Sequence, residues 1–152
     1  MTWRTAALVF VVTNAAVYVF LAVAIVPYWQ TLDGIEIQDW FADQFGRFSW
    51  MMVPVHLAAI VTTVVAFRRR RSSSGLWLVA LIGLLASQTF NFTIYAVGLN
   101  PDLSSQELSA ADALDTLDTW GALHLVRTAL VVVAALALAA ITATESTSDD
   151  AE

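Results

Sequence analysis

TAALVFVVTNAAVYVFLAVAIV, residues 5–26, carries no charge over its whole length. A helix rises about 1.5 Å per residue, and crossing about 30 Å of hydrocarbon takes roughly 20 residues. The run therefore has the length and composition of a transmembrane helix, and Pro27-Tyr28-Trp29 closes it. Three further runs have the same character: Phe48 to Phe67, Gly75 to Val97 and Trp120 to Ile141. None contains Asp or Glu, and only the last contains an arginine, Arg127. The chain as a whole is 59% apolar and 13% charged, against about 45–50% and about 25% for a soluble domain. Its mean hydropathy is +0.70. A lipid bilayer is thus the expected partner.

Arginine sets the expected topology. Arg4 precedes the first run and Arg68 to Arg71 fill the link between the second and third; Arg47 alone lies on the other side. Positive residues in short segments favour the cytoplasm. The expected fold is all-α, an integral membrane antiparallel four-helix bundle over residues 1–142. Both termini are cytoplasmic, and the protein is a multi-pass protein of the cell membrane. Residues 143–152 read as an acidic, disordered tail. The arginine run is a topology determinant or, alternatively, a lipid-headgroup site. A rival reading of residues 5–26 is a signal peptide cleaved near Ala22-Val23-Ala24.

The two longer loops, 28–47 and 98–119, face outward and hold nine carboxylates between them. Ile37, Trp40, Phe41, Phe45 and Phe48 recur near helical spacing, which predicts a short helix lying in the membrane interface. Ser104 and Glu107 match a capping box, placing the start of the fourth helix near Ser105. Asp112, Asp115 and Asp118 share one face of that helix, a solvated acidic face or, less simply, a cation site.

Absent residue types exclude chemistry. There is no cysteine, hence no disulfide, thiolate metal site or cysteine nucleophile. All seven cations are arginine, so a lysine Schiff base is excluded as well. No phosphate-binding glycine loop, H-E-x-x-H or nucleophile elbow is present, no metal site is expected, and nothing suits a nucleic acid.

What remains is polar groups inside the apolar runs, where an ionisable side chain costs about 3 kcal/mol. They are Asn14 and Tyr18, His56, Gln88 and Asn91, and His124 and Arg127. Each set falls on one helix stripe: Asn14 and Tyr18 four apart, Gln88, Asn91 and Tyr95 at three and seven, Trp120, His124 and Arg127 at four and seven. Counted from the outer ends at about 1.5 Å per residue, all except Asn14 lie in the outer half. Facing inward, these stripes line one pocket; Pro54 is expected to kink the second helix just above His56. The competing reading is interhelical hydrogen bonding worth about 0.6 kcal/mol each. Arg127 resists that reading, since it stays charged and no carboxylate lies within the runs.

The pattern Asn91…Leu99-Asn100…Leu103, then Leu117…Trp120…His124-Leu125-Val126-Arg127-Thr128, resembles the anthrone oxygenase-like family of small four-span membrane proteins. That family carries W-x-x-x-(N/H)-x-x-R-T at the start of its fourth helix, and an N-x-P-L-N-like stretch that does not stand intact here. The resemblance implies a cofactor-independent oxygenase of an anthrone-like aromatic. In that reading His124 is the base, with His56 as the alternative; Arg127 stabilises the enolate; Asn91, Trp120, Tyr18 and Gln88 hold the substrate. Two other classes compete. One is a quinone- or lipid-binding, or structural, accessory protein, in which a homo-oligomer is open. The other is haem b held by His56 and His124.

Overall fold

The structure, a computed structural model, describes residues 2–69 and 75–149, without the side chains of residues 48, 51 and 145–149. Arg70 and Arg71 of the basic run, and residues 150–152 of the tail, lie outside the described residues. Every element among the described residues is helical. They are α1 (Trp3–Phe20), α2 (Val26–Trp29), α3 (Gly34–Trp40), α4 (Gly46–Arg68), α5 (Leu76–Phe90), α6 (Asn100–Ser104) and α7 (Ala110–Asp149). Three π-helical turns join them without a break in the helical run: Leu21–Ile25, Phe41–Phe45 and Asn91–Leu99.

Three helical runs are long and apolar enough to cross a membrane: Trp3–Trp29, Leu76–Ser104 and Ala110–Thr144. The apolar stretch Met52–Arg68 is shorter. The chain is a membrane protein. α1 packs along α4 and α7, and α5 along α7. The contact is tight because its residues are small: Ala7, Ala15, Ala59, Ala80 and Ala134 are all buried there. Small residues let helices approach closely where lipid removes the hydrophobic drive to associate. Gly83 marks the closest approach, since a Cβ there would sit 2.7 Å from the Leu130 carbonyl oxygen of α7.

The end of the molecule away from the termini, hereafter the distal end, has a core of its own. Trp29, Ile37, Phe41, Leu103, Leu117 and Trp120 are buried in it. The helix expected over 35–48 forms from Gly34 onward, and Ile37 and Phe41 turn into this core. Asp33 caps α3, accepting from the Ile35 and Glu36 amides at 2.9 Å, while Glu36 accepts from the Asp33 amide. From there the helix continues through Phe41–Phe45 into α4, passing Pro54 without ending. Its aromatic face meets Trp29 and Trp120 instead of lipid: Trp29 lies 5.0 Å from Phe41 and 5.2 Å from Trp120, ring to ring.

The start of α7 also differs from expectation. Ser104 ends α6, Gln106 turns the chain at φ 60°, and the cap is Ser109, whose Oγ accepts from the Asp112 amide. Asp112 in turn accepts from Ser109 Oγ at 2.6 Å, so the Ser-x-x-acid pattern operates five residues later than read. At its other end α7 runs to Asp149, beyond residue 142, with neither Gly nor Pro to stop it.

Candidate functional site

Between the two cores lies a cleft of about 500 Å³, counting its open mouth. Tyr18, His56, Asn91, Trp120 and Arg127 line it, from four separate helical runs. Trp29, Tyr95 and Asn100 complete the polar wall, and Leu21, Phe45, Met52 and Val53 the apolar one. Two predicted residues stand elsewhere. His124 lies beneath the lining, fully buried, and Gln88 is half-buried away from the cleft. Asn14, a turn below Tyr18, is buried outside it too.

Arg127 organises the floor. It is 5% exposed, and among the described residues no carboxylate pairs with it. Its Nη1 donates to Asn91 Oδ1 at 2.6 Å and its Nη2 to His124 Nδ1 at 2.7 Å. The guanidinium carbon lies 4.1 Å from the Tyr95 ring centre, 4.6 Å from Tyr18 and 5.6 Å from Trp120. A desolvated cation over an aromatic face gains about 2 kcal/mol, so three rings and two neutral acceptors hold the charge without cancelling it. Its Nε is buried with no hydrogen-bond partner.

The hydrogen bonds of His124 determine its proton. Arginine has no acceptor, so Nδ1 must be the acceptor. Nε2 lies 3.0 Å from the Tyr18 carbonyl oxygen, which has no hydrogen to give, so Nε2 must carry the proton. His124 is therefore a neutral imidazole with both nitrogens occupied. Its ring is stacked between Trp120 at 5.0 Å and Tyr18 at 5.5 Å. The carbonyl that receives it sits just before the π-helical turn Leu21–Ile25, where the regular backbone ladder is disturbed.

His56 is placed differently. Its Nε2 lies 2.8 Å from Tyr18 Oη, and its Nδ1 is buried without a partner. Tyr18 thus touches both histidines and the arginine: its hydroxyl meets His56, its carbonyl His124, and its face Arg127. Across the cleft Tyr95 Oη donates to the Trp120 carbonyl at 3.0 Å, and Trp120 Nε1 donates to Asn100 Oδ1 at 2.9 Å. Trp29 Nε1, also at the wall, is buried and unpartnered. Orphaned buried polar atoms are uncommon in native proteins, and three of them, on Trp29, His56 and Arg127, belong to residues of this one cleft.

Tyr95, Trp29 and Asn100 were missing from the predicted site. Tyr95 carried a signal, its place four residues after Asn91. Trp29 reads from sequence as an ordinary interfacial aromatic, and Asn100 as a loop residue. Asp112, Asp115 and Asp118 are exposed; Asp112 accepts from the Ser109 cap and Asp118 accepts from Gln30 at 3.4 Å. Among the described residues no group of three His, Cys, Asp or Glu could hold a metal ion.

The anthrone oxygenase family model matches residues 41–137, well over half of the chain. The chain belongs to that family. His56, Asn91, Tyr95, Trp120, His124 and Arg127 fall within the match, whereas Tyr18 and Trp29 of the cleft precede it. No curated protein and no solved structure is similar enough to match.

Proposed function

We propose that this chain is a cofactor-independent oxygenase of an anthrone-like aromatic, working in the cell membrane as an antiparallel four-helix bundle. Its second span is the run through α4, both termini are cytoplasmic, and the cleft lies in the outer half. The observation that carries the reading is the uncompensated charge of Arg127 at the floor of an aromatic cleft. Family membership supports the same reaction class.

An anthrone is a flat carbon acid. His56 removes the proton from the carbon opposite the carbonyl, using Nδ1 while Nε2–H stays on the Tyr18 oxygen. The electron pair moves onto the carbonyl oxygen, and the enolate lies against the Arg127 guanidinium. Charge stabilisation of this kind in a water-poor site contributes on the order of 3 kcal/mol. The enolate passes one electron to O₂, and the carbon radical and superoxide combine to a peroxide at the same carbon. That carbon's second hydrogen passes to the distal oxygen as the O–O bond breaks, which forms the new carbonyl and releases hydroxide. The departing hydroxide takes the proton back from His56. Anthrone and O₂ become anthraquinone and water: the CH₂ is oxidised to C=O, and O₂ is reduced to one water and one carbonyl oxygen. No metal or flavin enters this scheme. Haem held by two histidines suits these residues poorly, because both Nε2 atoms are taken and the Tyr18 ring lies between the imidazoles.

Oxygen uptake by the purified protein with an anthrone substrate tests the proposal. Wild type should consume one O₂ per anthraquinone formed, and Arg127→Gln should lose about a hundredfold or more in turnover. Uptake that is unchanged in folded Arg127→Gln sinks it. No uptake by wild type above the protein-free rate, with anthraquinone still bound, would favour a non-enzymatic quinone-binding accessory protein.

A further inference from the structure

The cleft is roofed at the distal end. Gln38 in α3 is buried and clamps the loop before α7 at both backbone groups: Nε2 donates to the Leu108 carbonyl at 3.1 Å, and Oε1 accepts from the Leu108 amide at 3.1 Å. Gln106 Nε2 donates to Asp39 Oδ1 at 2.6 Å. Gly34 lies hard against the Ala110 backbone, where a Cβ would collide. α6 packs under α3 and under Phe41–Phe45. Beneath these, the interlocked rings of Trp29, Phe41 and Trp120 close the way down from water.

The side is not closed. Among the described residues, α4 above His56 is joined to Phe41–Phe45 but has at most sparse contact with Leu21–Ile25 and Asn91–Leu99. Ser49, Met52, Val53 and His56 form one stripe of α4 that lines the cleft, yet Val53 is 45% exposed. The neighbouring Trp50 and Phe92 are 80% and 69% exposed, as lipid-facing residues are. A cleft sealed toward water and open toward hydrocarbon fills from the hydrocarbon.

We infer that the ligand enters sideways from the bilayer, past the outer half of α4, so that the site takes flat apolar molecules already dissolved in lipid. The inference rests on the aromatic-ligand reading above and adds the phase that delivers the substrate. Only the edge of the molecule that reaches Arg127 needs to be polar, and it becomes anionic only after it has arrived.

The chain has no cysteine, so a single introduced thiol reports access without background. Ser49→Cys, in liposomes, is exposed to lipid-soluble pyrene maleimide and to a charged methanethiosulfonate sulfonate. The exposed Asp43→Cys is the aqueous control. Relative to that control, Ser49→Cys should react with the sulfonate about a hundredfold more slowly, the penalty of a charge in hydrocarbon, and readily with the maleimide. Val53→Trp should slow maleimide labelling severalfold, whereas Val19→Trp on the lipid face of α1 should not. Met52→Cys serves if Ser49→Cys fails to fold. Sulfonate labelling of either thiol as fast as Asp43→Cys overturns lateral access, whatever the turnover. Lateral labelling with no oxygen uptake in wild type removes the oxygenase and leaves the side opening in place.

Discussion

A histidine with both nitrogens already bonded to protein is poorly disposed to take a proton from a ligand. His124 gives its Nε2–H to the Tyr18 carbonyl and receives Arg127 at Nδ1. Its contribution is to aim the guanidinium. His56 has the free nitrogen and lines the cleft. The two roles separate in a pH profile. A base works only when unprotonated, so turnover should fall on the acid side. That acid limb should survive in His124→Gln at a lower kcat, and should vanish in His56→Ala along with about two to four orders of magnitude of rate. An acid limb lost in His124→Gln and kept in His56→Ala would reverse the assignment. Arg127→Lys keeps the charge but replaces a planar fork with a point donor, so it should lose one of the Asn91 and His124 contacts and recover only part of the activity lost in Arg127→Gln.

At the scale of elements, the site depends on where helices cease to be α-helical. Tyr18 lies in the last turn of α1, just before one π-helical turn, Asn91 and Tyr95 lie within another, and Phe45 ends the third. A stripe counted at 3.6 residues per turn drifts where the helix widens, which is why Gln88 leaves the cleft while Asn91 and Tyr95 stay. The helices carrying these turns are held by contacts between small residues below the site. Gly83→Leu on α5 would drive a side chain into the Leu130 backbone of α7. Overpacking of this kind costs about 1–3 kcal/mol, and the expected outcome is a lowered melting temperature in detergent for Gly83→Leu. The exposed change Ile82→Leu, on the lipid-facing side of the same helix, should leave it unchanged.

For the whole molecule, charge and burial divide along one axis. The acidic loops gather at the distal end with the aromatic roof, and Arg69 lies over Trp3 at the end that holds the termini. If the proposed topology is right, a charged thiol reagent applied to intact cells labels Asp43→Cys and Asp115→Cys but leaves Thr2→Cys unlabelled until the membrane is permeabilised. The reverse pattern would invert the protein and turn the cleft toward the cytoplasmic leaflet.

Residues 5–26, with the apolar runs that follow, were enough to read a helical membrane protein, because hydrocarbon leaves a backbone no partner but its own helix. Arg127 announced itself for a related reason: a fixed charge in an apolar run demands an explanation wherever it points. Tyr18, His56, Asn91 and Trp120 were legible as stripes, since periodicity along one helix is a property of sequence. Which stripes meet is not. The division between His56 and His124 rests on which nitrogen faces an arginine and which a carbonyl, a matter of a few ångströms between helices distant in sequence. The roof depended on Gln38 reaching a loop 70 residues away, and local periodicity read the same aromatics as lying in lipid. Local composition chooses the solvent and the element; the tertiary structure alone decides which polar atoms find partners and which are left facing a ligand.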